Sequence, residues 1–549
     1  MRASWRGIDR AFWALAAIVT VLYLPRLAEL PTRGEETRWA RVADEMRFTG
    51  DWIVPRQQGE PFLSRPPLGS WLMAAAALVR GQLDLFAVRL PTFLATLALT
   101  LGVYRYLRPV ASRTAALVAA LAFAVCPQTL QLTRLAETDL VFSACVAGSL
   151  LAWHACWRSS RPLAAWTIGY ALAAAAGLAK GLQGPAFFVA SVGLYLLVVR
   201  EAKSLFRIPH FAGLTAFLFV FGGWNLALRV VAGPLAVEVV WTFDIGLRFV
   251  DRTWLAFLTH MLQYPLELVG VLLPWSIAFL GAIWLRWRDI PAHQKHTWLF
   301  LLCCLAATFP AVWLTPGAKV RYYLPLFPIL AGLVGLVVDG IVAERFAIPS
   351  PRGWRIAVRL LAVILAVAGI AAFGQEARLG GLSLTGVLFC GLAALAITAL
   401  WQSSREFDSV RLRRAGLAAA VALGSLHSGP WLDLLIRRSL ASDKEIAALL
   451  EKSGTDLVSF GPLHHRFTYY YGRPLPWRVY PAAAGDVADG QVFCFMEWHD
   501  LPRVEIPFAW ERIGEICCDR NVKSAAEAVV VVGRKLPLAA RRASSPVAN

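Results

Sequence analysis

The charged residues most able to do chemistry gather around three points of an apolar chain: Glu35, Glu36 and Arg38, then Arg65 ahead of Pro66-Pro67, then Asp139. Carboxylates beside guanidinium groups suit acid–base and anion-holding work, and each must be weighed against a structural role. Thr32-Arg-Gly-Glu35 has the spacing of a capping box, which accounts for Glu35 as a helix cap without any substrate. Glu36 has no such explanation. Trp39, Val42, Ala43 and Met46 follow at helical spacing, so an amphipathic surface helix is expected at the membrane interface, with Glu35, Arg38, Arg41 and Glu45 facing water or a site. Gly50-Asp51-Trp52 and Pro55 break that helix, and Arg65-Pro66-Pro67 opens a second one carrying Leu68, Trp71, Leu72 and Ala75. Irregular charged backbone beside a membrane is tolerated only where it is buried in protein or lines a wet cavity, so this stretch reads as the wall of an outward site. Asp139 opens an apolar span, and an ionisable group at a helix mouth marks function unless it is paired, here with Arg134 or Arg38. For Arg65, Lys180, Lys319 and Arg321 the structural reading is snorkelling to lipid headgroups.

The elements that must position these groups are membrane helices. The 549 residues are 58% hydrophobic and only 16% charged, with mean hydropathy +0.56. That excludes a soluble enzyme of this size. Apolar stretches of spanning length lie near 11–29, 85–107, 114–132, 138–157, 163–181, 184–200, 212–232, 266–286, 297–315, 322–343, 355–374, 383–401 and 412–432, about thirteen in all. With 54 Lys+Arg against 36 Asp+Glu the net charge is +18. On a membrane chain this points to basic cytoplasmic loops, not to nucleic acid. Arg2, Arg6 and Arg10 place the N-terminus inside, and counting alternately puts the basic loops inside and the long pieces 30–84, 233–265 and 433–549 outside. The first span has no small-residue cleavage site and reads as a retained helix.

The expected architecture is therefore an all-α polytopic membrane domain, 1–432, plus a small extracytoplasmic α/β domain, 433–536, and a disordered tail, 537–549. Asp443 to Asp456 has a helical pattern, and short β-like runs follow at 456–460, 491–495 and 528–532. Nine cysteines show no metal-type spacing. Cys494, Cys517 and Cys518 fall in the outer domain and allow one disulfide with a spare thiol.

The order Glu35-Glu36-Thr37-Arg38-Trp39, Gly50-Asp51-Trp52, Pro55, Gly59, Arg65-Pro66-Pro67-Leu68, Trp71 and Arg89-Leu90-Pro91 resembles the lipid A aminoarabinose transferases and the related protein O-mannosyltransferases, multi-spanning enzymes of GT-C type. Thr138-Asp139, Lys180-Gly181, Arg248-Phe249, Pro274-Trp275 and Lys319 with Tyr323, Pro325 and Pro328 continue the match. It extends weakly to Tyr469-Tyr470-Tyr471-Gly472-Arg473-Pro474.

The resemblance implies a glycosyltransferase that takes a sugar from a polyprenyl-phosphate donor and delivers it, outside the cytoplasm, to a lipid A-like glycolipid, a glycan or a protein hydroxyl. Displacement at an anomeric carbon needs a base for the acceptor and cations for the departing phosphate. The resemblance makes Glu35 the leading base, one methylene longer than the family's aspartate, with Glu36 and Asp139 as second choices. It makes Arg38, Arg65, Arg248, Lys180, Lys319 and Arg321 phosphate-binding candidates, Arg65 replacing the family's lysine with a bidentate group. Trp39 and Tyr323 become candidate cavity residues. Some relatives bind a divalent metal near the Pro-Pro motif. Here Ser64 precedes Arg65 and no His lies in the first outer segment, so no metal ligand is assigned. His260 and His464-His465 read as exposed or capping residues. The expected location is a bacterial inner membrane. The alternative is a transporter or flippase of lipid-linked sugars, disfavoured because the chain shows no obvious repeat and gathers its charges at the outer rim.

Overall fold

The computed structural model describes residues 9–246, 254–282, 286–315, 318–345, 350–381, 383–454, 456–498, 505–518 and 528–537. The chain divides into two compact units. A helical unit comprises Met1–Glu29, Ser64–Gly69 and Asp84–Leu435, and a sheet unit comprises Leu30–Leu63, Ser70–Leu83 and Ile436–Asn549.

In the helical unit, eight helices among the described residues are long and apolar enough to cross a bilayer: Leu85–Leu107, Thr138–Arg158, Pro162–Lys180, Ile208–Ala232, Ala292–Trp313, Val320–Val342, Pro351–Arg378 and Leu384–Gln402. Each falls on an expected span. The other expected positions hold shorter or interrupted helices. The stretch 114–132 is split into Arg113–Ala124 and Pro127–Leu132, because the missing proline N–H starts a new helix instead of continuing the old one. The stretch 412–432 ends in a turn at His427–Trp431, where Gly429 leaves helical geometry before Pro430. Helices pack through small residues. A Cβ on Gly184 would lie 2.5 Å from that of Ala176, so only glycine lets Gln183–Val198 start so close to Pro162–Lys180.

The sheet unit is built on a five-stranded mixed sheet. Its strands are β3 (Leu457–Phe460), β4 (Trp477–Arg478), β5 (Val492–Trp498), β6 (Trp510–Cys517) and β7 (Ala528–Lys535), in spatial order β4-β3-β5-β7-β6. β3 runs parallel to β4 and β5, while β7 is antiparallel to β5 and β6. The run Val529 to Val532 lacks alternation because both faces of β7 are covered. Val530 and Val532 pack with Ile446, Leu449 and Phe467, and Val531 packs with Phe460, Phe493 and Phe508 on the other side. Cys494, Cys517 and Cys518 are unbridged. A two-stranded hairpin, β1 (Arg56–Gln57) and β2 (Glu60–Pro61), precedes this sheet in the chain.

Candidate active site

Glu35 stands at the entry of helix Glu36–Thr49 in the sheet unit. Its backbone is the N-cap, its carbonyl accepting the N–H of Arg38 at 2.9 Å, but its carboxylate makes no capping bond. Oε2 instead meets Arg38 Nη1 at 3.0 Å and stands 3.8 Å from His465 Nε2. The Glu35 side chain keeps 46% of its surface, although Oε2 itself is buried. The expected capping box is not formed. Gly34, at φ +58, turns the chain so that the helix starts three residues later, and the Thr32 hydroxyl donates to Asp443 Oδ1 at 3.2 Å. Glu36 performs the reaching-back role: it is fully buried, and its Oε1 accepts the Arg33 N–H at 2.7 Å.

The helix is not the surface element its pattern predicts. Arg41, Asp44 and Glu45 are buried with its apolar face, because the short helix His465–Tyr471 packs against it. Buried charge there is paired. Arg41 Nη1 donates to Asp44 Oδ2 at 2.8 Å and Arg47 Nη1 to Asp44 Oδ1 at 3.1 Å. Burial raises the pKa of Asp44, the two guanidinium groups opposing that rise. His464 caps the short helix by accepting the Arg466 N–H, while His465 is buried with Nδ1 2.6 Å from the Thr37 hydroxyl. Burial first, then the neighbouring charges of His464, Arg38 and Arg466, pushes the His465 pKa down to about 2. The imidazole is therefore neutral, and its approach to Glu35 is not an ion pair. Arg38 also lies over the Phe62 ring at 5.6 Å, and Trp39, nearly buried, packs on the same ring at 6.1 Å. The chemistry available here includes a partly exposed glutamate side chain paired with a guanidinium beside a neutral imidazole.

The helical unit assembles a second group. Asp139 lies in the first turn of Thr138–Arg158 and Lys180 in the last turn of Pro162–Lys180, and the packing of these two helices pairs them. Asp139 is thus bound to Lys180, not to Arg134. Lys180 Nζ also sits 5.3 Å from the centre of the Tyr322 ring, and Arg321 stacks on the same ring at 5.8 Å. Lys319 is exposed, and Arg65 is half-buried with Nη1 3.4 Å from the Ser64 carbonyl. Tyr323 is fully buried, its hydroxyl 3.4 Å from that of Thr308, so its neighbour Tyr322 is the one that presents a ring to the cations. Arg248 lies outside the described residues.

Arg26 was not singled out, Arg89 entered only through the Arg89-Leu90-Pro91 match and Arg134 only as a possible partner of Asp139; all three are buried in the helical unit. Arg26 Nη2 bonds Asp433 Oδ1 at 2.5 Å, Arg89 Nη1 donates to the Leu27 carbonyl at 3.2 Å, and Arg134 Nη2 donates to Ser428 Oγ at 2.7 Å. The available signal was their place at the ends of apolar spans, where long cationic side chains normally reach outward instead. Among the described residues no three His, Cys, Asp or Glu side chains are grouped to hold a metal ion.

Comparison with known proteins agrees with this architecture. A family described as dolichyl-phosphate-mannose-protein mannosyltransferase matches residues 64–224. The undecaprenyl phosphate-alpha-4-amino-4-deoxy-L-arabinose arabinosyl transferase of Aeromonas salmonicida is 26% identical over 468 residues, covering 82% of this chain and 81% of its own. The enzyme of the same name from Edwardsiella ictaluri is 28% identical over 344 residues, 61% of each chain. Among solved structures, ArnT from Cupriavidus metallidurans bound to undecaprenyl phosphate has the same fold, with TM-score 0.68 at 20% identity over 95% of this chain and 98% of that one. The chain is an integral membrane glycosyltransferase. In sequence and in fold it resembles the aminoarabinose transferases.

Proposed function

We propose that this protein transfers a sugar from a polyprenyl-phosphate donor to an acceptor hydroxyl on the extracytoplasmic side of a bacterial inner membrane. The observation that carries the reading is Glu35: at a helix start, its partly exposed side chain makes no capping bond and holds Arg38 at 3.0 Å, beside a neutral His465. Glu35 takes the proton of the acceptor hydroxyl, or orients it, as the bond to the anomeric carbon forms. Glu36 and Asp139 rank below it, since one is tied to the Arg33 N–H and the other to Lys180. The phosphate that leaves with the lipid needs cations that cost no reorganisation. We assign that task to Arg38 and Arg65, with Arg248, Lys180, Lys319 and Arg321 as further members of the set. Trp39 supports the site from the Phe62 side. Tyr323, buried in Val320–Val342, is kept as a further candidate cavity residue.

In this reading the membrane domain, 1–432, crosses the bilayer about thirteen times with its N-terminus in the cytoplasm. It carries outward loops 30–84 and 233–265, and 433–536 is the extracytoplasmic domain. Likeness to lipid-linked sugar transferases over most of the chain supports this reading over a transporter or flippase.

The test supplies purified full-length protein with a polyprenyl-phosphate sugar and a membrane glycan extract, and follows free polyprenyl phosphate by mass spectrometry. Release by wild type is expected, with strong loss in Arg65→Ala and partial recovery in Arg65→Lys, since lysine keeps the charge but not the fork. No release across a panel of lipid-linked sugars would turn the assignment to the transporter.

A further inference from the structure

One cavity of the sheet unit has no role so far. It measures about 310 Å³ and opens between the β1–β2 hairpin, with Gln57, Glu60 and Phe62 after it, and the 462–465 stretch, with His464 and His465; Trp477 adds an exposed ring and Arg38 lines it as well. Its volume sits at the low end for small-molecule sites, roughly 300–1,000 Å³.

The walls are fixed. Gln58, held at φ +53, accepts the Leu463 N–H on Oε1 at 2.7 Å and donates from Nε2 to the Leu475 carbonyl at 3.2 Å. The Glu45 carboxylate accepts the N–H of Gln58 and that of Gly59, the latter at 3.0 Å. A buried carboxylate and a buried amide thus lock the hairpin to the sheet, so the cavity is present before any ligand arrives.

Its lining selects a ligand class. Trp477 and Phe62 offer flat apolar faces, Gln57 and Glu60 offer amide and carboxylate oxygens, and the neutral His465 adds a polar group without charge. Flat apolar faces fit the C–H side of a sugar ring, and amide and carboxylate groups fit its hydroxyls. Arg38, which lines the cavity, is the residue that grips Glu35.

We infer that this cavity is the acceptor subsite and that it takes the end of a saccharide, presenting one hydroxyl beside Glu35. The assignment deepens the transferase reading and rests on it for the word acceptor. A small cavity with ring-sized faces favours a sugar end over a protein segment, which would need an extended groove.

The experiment uses full-length protein in detergent and saturation-transfer NMR, with a glucosamine disaccharide as probe and a threonine-containing peptide as the competing class. Trp477→Ala and Gln57→Ala are compared with wild type and with Trp477→Phe, each checked by melting temperature. The disaccharide is expected to bind wild type, to weaken about tenfold in Trp477→Ala and Gln57→Ala, and to recover in Trp477→Phe, the peptide staying silent. Disaccharide binding that ignores both alanine variants, peptide binding in its place, or no disaccharide binding to wild type overturns the inference. Wild-type release of polyprenyl phosphate is measured alongside. Sugar binding that depends on Trp477 without any lipid release keeps the saccharide site and refutes the transferase reading instead.

Discussion

Replacing Glu35 by glutamine separates a catalytic carboxylate from a helix-entry residue. The substitution keeps length and shape and removes only the charge and the basicity. A general base contributes about 10²–10⁴ in rate, equivalent to roughly 3–5 kcal/mol at about 1.4 kcal/mol per tenfold. The stability cost is much smaller. The carboxylate makes no backbone capping bond, and its ion pair with Arg38 joins side chains 46% and 33% exposed. Screening by water limits such a pair to about 0–1 kcal/mol. Glu35→Gln should therefore melt within a few degrees of wild type while losing at least about a hundredfold in single-turnover release of polyprenyl phosphate. Glu35→Asp keeps a base but shortens its reach by a methylene, and should fall between the two. The reasoning is refuted if Glu35→Gln turns over within about threefold of wild type, or if its loss follows a collapse in melting temperature.

His465 makes a pH prediction whose sign follows from its depressed pKa. The unfolded imidazole, near 6.5, takes up a proton before the folded one, near 2, so stability is complete above about pH 6.5 and drains away as pH falls, by at most about 1.4 kcal/mol per unit. His465→Gln should flatten the acid limb of melting temperature against pH; an unchanged limb would place the titration elsewhere. In the helical unit, Lys180→Met or Asp139→Asn alone should cost about 3–5 kcal/mol, since each strands a partner only 6% or 14% exposed. The double variant should recover part of that loss in thermal melts, and strict additivity would deny the pairing. Gln58→Ala leaves the buried Leu463 N–H without its acceptor, about 1–3 kcal/mol. Tryptic cleavage after Arg56 should accelerate, and equal cleavage rates would show the hairpin is held by other contacts.

The spans were legible because a bilayer imposes length and apolarity on each helix separately, and the eight long helices fall where hydropathy places them. The C-terminal domain was legible in part. The runs at 456–460, 491–495 and 528–532 became β3, β5 and β7, whereas β6, whose sequence Trp-Glu-Arg-Ile-Gly-Glu-Ile-Cys mixes charge with apolar residues, was not anticipated. As an edge strand it buries little, so its pattern is weak.

Glu36–Thr49 marks where local pattern stops. Its helical period is plain in the residues, but the burial of its charged face depends on elements that pack against it from elsewhere, the β1–β2 hairpin and His465–Tyr471, the latter more than four hundred positions away in the chain. Composition, hydropathy and motif order alone determined a polytopic membrane protein with a small α/β domain and its transferase likeness, since these are sums over local residues. Tertiary structure alone decided that Asp139 finds Lys180 and that Gln58 locks a hairpin over a cavity. Those outcomes turn on distances of a few ångströms between residues far apart in sequence, which no period or spacing encodes.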